Sequence, residues 1–310
     1  MNSKEIILPE VAASVKLAAT YHLEARKADG SVARQSATFH NLITDYGLNA
    51  LAKIGCRSLY SGKCYVGTGS ATPQFTDTAL TTPLANTPSF SSTSDVAATG
   101  PTWAQTTIVT ATFALGSAVG NIAEVGFGDT AGLFSHALVA DAQGAPTVFP
   151  VLSDEQLVVV YQLTQYPPLV DGSGSISING TNYTYTSRAY WVHINSNTWH
   201  FAGSSSNSIP YYLFSMGGSR DDQQADLVPL GVSGNQNPGF GFTITKDAYV
   251  DGSYKVSGKG TCVPAGGAGN LRIVEVGFFS SRFQVKYVPD IVKTNTQTLV
   301  LPFSFTWARA

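Results

Sequence analysis

Ile122-Ala-Glu-Val-Gly-Phe127 recurs as Ile273-Val-Glu-Val-Gly-Phe278, and this recurrence decides how the chain is laid out. The match has company. At a constant spacing of 149 residues, Gly69, Ser70, Asp77, Thr112, Gly120 and Asn121 meet Gly218, Ser219, Asp226, Thr261, Gly269 and Asn270. The two glutamates, Glu124 and Glu275, stand 151 apart, so the second copy holds two extra residues after Gly-Asn. Further on, Leu157, Val159, Tyr161 and Leu163 meet Leu299, Leu301, Phe303 and Phe305 at a spacing of 142. Spacings that hold and then step once are the mark of duplicated domains with loop insertions and deletions. A period this long suits a whole domain and is too long for a solenoid repeat.

The 310 residues are enough for two domains, each with its own core. The expected division is a first domain over 1–168 and a diverged second copy over 169–310. Charged residues are only 12% of the chain, about half the usual share of roughly 25%, and the net charge is −2. A weakly charged chain offers no basic face for nucleic acid. It also repels copies of itself only weakly, which suits self-association. Aromatics at 11% argue against disorder.

No apolar run of signal-peptide length opens the chain, and no stretch approaches the ~20 apolar residues of a membrane span. The expectation is a soluble protein made in a cytoplasm, without membrane insertion. Three cysteines (Cys56, Cys64 and Cys262) and no Cys-x-x-Cys make neither a disulfide framework nor a tetrahedral metal site. Cys56 and Cys64 flank a short loop, so their pairing stays an open alternative.

Period-2 patterning dominates. Val15, Leu17, Ala19, Tyr21, Leu23 and Ala25 alternate with more polar neighbours, which predicts a strand with one buried face. Leu299, Leu301, Phe303, Phe305 and Trp307 make the clearest such run. One helix is expected near 42–54, where Leu42, Ile43, Tyr46, Ala50, Leu51 and Ile54 share a stripe; Asn41 is its candidate N-cap and Gly55 its stop. Residues 83–100, rich in Pro, Ser and Thr, predict a long loop, and Asp171-Gly-Ser-Gly-Ser175 an interdomain linker. Many short strands bounded by turns point to an all-β chain of two tandem β-sandwich-like domains, with one short helix in the first.

Asn41-Leu-Ile-Thr-Asp-Tyr-Gly-Leu-Asn-Ala-Leu51, then Tyr65-Val-Gly-Thr-Gly-Ser70 and Thr76-Asp-Thr-Ala-Leu80, form one half of a larger pattern. Its other half is Ile122-Ala-Glu-Val-Gly-Phe-Gly128, Leu133-Phe-Ser-His-Ala-Leu138 and Asp154-Glu-Gln-Leu-Val-Val-Val-Tyr161. Together they resemble a pattern common in virion proteins of tailed bacteriophages, usually tail-tip, fibre-associated or collar components. The resemblance runs from about Phe39 to Tyr166. The C-terminal half joins it only through the internal repeat, where the helix motif is missing. The resemblance implies a structural virion protein, assembled in the host cytoplasm, that contacts itself as a homo-oligomer and other virion proteins. It brings no catalytic residue and no cofactor.

Three other readings compete. A capsid decoration protein or head fibre would use the same fold. A receptor- or carbohydrate-binding module would use Trp191, Trp199 and Tyr211 to stack on a host surface glycan, since a ring covers a sugar face while nearby amides reach its hydroxyls. A polysaccharide-cleaving enzyme would need Glu124 and Glu275 as a carboxylate pair about 5–9.5 Å apart. Those two sit at equivalent places in two copies, so duplication explains them without an active site. Each then needs local partners, from backbone N–H groups or an arginine such as Arg272. Asp221, Asp222 and Asp226 are oxygen ligands of the kind a hard cation takes, but a solvated turn accounts for them as well. The five histidines, His22, His40, His136, His193 and His200, show no metal-site spacing. The expectation is a protein that is not an enzyme and holds no metal.

Overall fold

The computed structural model describes residues 4–54, 62–97, 104–166, 168, 170–191, 213–217, 242–264, 268–278 and 281–310. Among these, strands dominate and one helix is present. The strands β1 (Lys4–Ile7), β2 (Val11–Lys27), β3 (Val32–Gln35), β4 (Phe39–His40) and β5 (Leu42–Ile43) precede helix α1 (Asp45–Ile54). Next come β6 (Lys63–Gly67), β7 (Pro83–Thr87), β8 (Phe90–Ala97), β9 (Ala104–Thr112), β10 (Gly120–Ile122), β11 (Glu124–Gly128), β12 (Leu133–Leu138), β13 (Phe149–Val151) and β14 (Glu155–Tyr166). The remainder are β15 (Gly172–Ile178), β16 (Thr181–Trp191), β17 (Leu213–Gly217), β18 (Thr243–Lys246), β19 (Lys255–Cys262), β20 (Gly269–Phe278), β21 (Ser281–Lys293) and β22 (Gln297–Arg309).

By contacts the chain falls into two compact units. One is built from residues 16–166 and 308–310, the other from residues 4–15 and the described residues of 167–307. In the first unit, β8, β9, β14 and β2 lie side by side, with β3 and β4 along β2; the order β5-β12-β11-β6-β7 makes a second sheet. Alternating side chains of the two sheets meet in the core. Tyr21 of β2 stacks on Phe127 of β11 at 6.0 Å between ring centroids, and Tyr161 of β14 lies 5.2 Å from Phe127. All three are fully buried. The Tyr21 hydroxyl bonds Ser135 Oγ at 2.6 Å, and burial pushes its pKa well above the usual tyrosine value. In the second unit, β18, β19 and β22 form one layer and β15-β16-β21-β20-β17 another. There Phe283 of β21 meets Phe305 of β22 at 5.5 Å.

The ladders repeat along with the sequence. Val158, Val159, Tyr161 and Leu163 of β14 pair with Thr112, Ala111, Val109 and Thr107 of β9. Their counterparts at a spacing of 142, Val300, Leu301, Phe303 and Phe305, pair with Thr261, Gly260, Gly258 and Val256, the counterparts of the β9 residues at 149. The same holds for Gly120↔Val151, Asn121↔Pro150 and Ile122↔Phe149 against Gly269↔Lys293, Asn270↔Val292 and Leu271↔Ile291. A single-residue slip would flip every side chain to the other face, so this agreement ties each pair to its burial pattern. Gly120 and Gly269 even share a backbone angle, φ 146° and 144°. Alanine at either site should destabilise its unit by at least about 1 kcal/mol, because a Cβ is strained at that φ. Urea denaturation of the two single variants checks this.

The copies also differ. In the first unit β14 pairs with β2 along its length, from Glu155↔Lys27 to Tyr166↔Lys16. In the second, β22 takes β1 as a parallel neighbour, from Lys4↔Gln297 to Ile7↔Val300. Residues 4–15 therefore belong by contact with the C-terminal unit.

Three sequence expectations are corrected. Residues 83–97 are not a loop but hold β7 and β8, each at the end of its sheet order. An end strand leaves one edge to water, which tolerates the Ser and Thr that disguise it. Asp171–Ser175 is not a linker: Gly172 opens β15, paired from Gly172↔Ser187 onward. Its glycines serve close approach instead of flexibility, since a Cβ on Gly174 would lie 2.5 Å from Tyr185 Oη. Helix α1 is capped by Thr44 and not by Asn41: Thr44 Oγ1 accepts the Gly47 N–H at 2.9 Å. The intervening Leu42 and Ile43 are spent on β5, which pairs with His136 and Ser135 of β12. Gly55, the expected stop, lies outside the described residues. The helix buries Leu48, Ala50 and Leu51.

Candidate functional site

Glu124 opens β11 opposite Gly67 of β6 and Leu138 of β12, and its exposure is 0%. A carboxylate taken out of water needs a donor for each lone pair it turns inward. The loop between β6 and β7 supplies them. Oε1 accepts the N–H of Gly69 at 3.0 Å and of Thr82 at 2.7 Å, and Oε2 accepts the N–H of Thr81 at 2.9 Å. The loop can come this close because Gly67 and Gly69 lack side chains. A Cβ on them would lie 2.5 and 2.4 Å from Oε1. The Gly67-Thr-Gly69 signature thus serves a carboxylate of the same chain.

His136 of β12 completes the ring of contacts. Its Nε2 lies 3.1 Å from Glu124 Oε2, and its Nδ1 lies 2.7 Å from Asp77 Oδ2. Asp77 also accepts the Gln74 N–H at 2.8 Å. His136 is 1% exposed, while the Asp77 side chain keeps 25% of its surface in solvent. Burial alone would raise the Glu124 pKa. The N–H groups of Thr82, Thr81 and Gly69, with His136, outweigh burial and hold it below the usual glutamate value.

The same loop is pinned at its middle. The Asp45 N–H donates to Phe75 O at 2.7 Å. Arg309 lays its guanidinium 4.0 Å from the centre of the Phe75 ring and reaches Asp45 Oδ1 at 2.6 Å and Ile43 O at 2.6 Å. Beside His136 a cleft of about 540 Å³ opens, bounded by Phe39 to Leu42, Pro73 and the turn at Asp141 to Gly144.

Chemically this arrangement binds a loop. Every group around Glu124 is a donor from the fold itself, and no face of the carboxylate is left for a reacting molecule. Compared with known family models, curated proteins and solved structures, the chain matches none.

The other expected residues divide into those that are described and those that are not. Trp199 and Tyr211 lie outside the described residues, as do Cys56, His193, His200, Asp221, Asp222 and Asp226. Trp191 ends β16, its backbone paired with Ser281. Glu275 lies in β20 opposite Gln284 and Phe214. Arg272 pairs with Asp290 at 3.0 Å. Cys64 is a free, buried thiol with its pKa pushed well up by burial. Among the described residues no group of three or more His, Cys, Asp or Glu is placed to hold a metal ion, and no helix is long and apolar enough to cross a membrane. Sequence reasoning placed Glu124 and Asp77 in the repeat but did not bring His136 to them, since the second copy has no histidine at the matching ladder position, Arg282. The available signal was strand pairing: His136 faces Gly126, two residues from Glu124.

Proposed function

We propose that the chain is a structural component of a tailed-phage virion, forming or attaching part of the tail at its tip, fibre or collar. It works through contacts with copies of itself and with other virion proteins, after assembly in the host cytoplasm. The observation that carries this reading is the closed state of Glu124. The residue best suited to acid–base work is 0% exposed and fully engaged by loop N–H groups and His136. The stretches that resemble phage virion proteins supply this network: Thr44 caps the helix, and Gly69, Asp77, Glu124 and His136 hold the β6–β7 loop. A shared pattern spent on architecture supports an architectural role.

Gold-tagged antibody against the chain, applied to intact virions and viewed by electron microscopy, tests the proposal. Label confined to the tail or its tip is the expected result. Label over the whole capsid would move the chain to capsid decoration, and an unlabelled particle would overturn the structural role.

A further inference from the structure

His136 lies between two carboxylates, one at each ring nitrogen. Asp77 Oδ2 already accepts from the Gln74 N–H, and Glu124 Oε2 already accepts from the Thr81 N–H. An ionised carboxylate has no hydrogen to give, so toward two such groups both ring nitrogens donate. An imidazole ring donates from both nitrogens only as the imidazolium. We propose that His136 is a proton-dependent latch: its doubly protonated ring closes the Gly69–Thr82 loop over β11 and β12, and loss of one hydrogen frees the Asp77 end.

The asymmetry of the two partners sets which end opens. Glu124 has no exposed surface and three backbone donors, so it stays where it is and keeps the remaining ring hydrogen. Asp77 is a quarter exposed and gains full hydration by turning outward. A bare nitrogen facing a carboxylate at 2.7 Å is repulsive, which drives that turn. His40 and Asp141 line the same cleft as His136. Asp45 and Arg309 neutralise each other where they hold Phe75. Opening therefore releases the stretch around Asp77 while Phe75 keeps its backbone tie to Asp45. This inference is independent of where in a virion the chain sits.

Nuclear magnetic resonance of the full chain tests it, with ring nitrogen shifts of His136 and backbone amide shifts of Gln74 to Leu80 followed together as pH is raised. In the closed loop both ring nitrogens should carry hydrogen. The loop amides should move in step with the loss of one of them, with amide exchange at Asp77 and Thr78, corrected for intrinsic chemistry, rising about tenfold. Asp77→Ala is the companion variant, because it removes the carboxylate that a bare Nδ1 would repel. Its loop signals should stay put across the same pH range. A closed wild-type loop around a singly protonated ring would overturn the latch, as would an Asp77→Ala loop whose amides still move in step with the ring.

Discussion

Replacing Glu124 by alanine should cost the first unit about 3–5 kcal/mol, the penalty for removing one partner of a buried, hydrogen-bonded charge pair. Three backbone N–H groups, at Gly69, Thr81 and Thr82, lose their acceptor, and the one at Gly69 is buried. His136 keeps its position but loses the deeper of its two anionic partners. A domain of this size has a total stability of only about 5–15 kcal/mol, so the change is a large share of it. Urea denaturation at neutral pH should show the transition of residues 16–166 moving to lower urea. The second unit carries its own glutamate, Glu275, and its transition should barely move.

The second large effect is expected from Phe127→Ala. The ring is fully buried between Tyr21 at 6.0 Å and Tyr161 at 5.2 Å, where the two sheets of the first unit meet. Truncation removes apolar surface from the core and leaves a cavity that stacked tyrosines refill poorly. The loss should be about 3–5 kcal/mol. Phe127→Leu, which fills much of the space, should cost clearly less. Thermal melts of the two variants read the difference, and equal losses would mean that the ring does not carry the packing described.

Much of this fold was legible because strands announce themselves by alternation. The run Leu299 to Trp307 became β22, and its odd-numbered side chains are buried. The sequence repeat has a counterpart in the structure, since both its spacings recur as strand register. What stayed hidden has physical causes. The Ser- and Thr-rich β8 and the Gly-Ser β15 lack apolar alternation, since strands at the end of a sheet need fewer buried side chains. Thr44 is hard to pick as the cap because the apolar stripe starts at Leu42, whose role is in β5. At the site, Glu124 stood out through repetition and the backbone N–H partners were foreseen in kind. His136 and Asp77 were not foreseen as its neighbours, because 59 residues separate them and only the pairing of β11 with β12 brings the ring to the loop.

The most direct measurement is the stability of the wild type and Glu124→Gln across a pH series. The fold holds the Glu124 pKa below its unfolded value of about 4.3, so its contribution is complete above that value. It is lost as pH falls through the folded value, where the carboxylate takes up a proton. The glutamine variant should be less stable at neutral pH, because its amide N–H₂ must face donors, and its curve should lack the Glu124 share of the acid loss. Coinciding curves would contradict the claim that this carboxylate is spent on holding the fold.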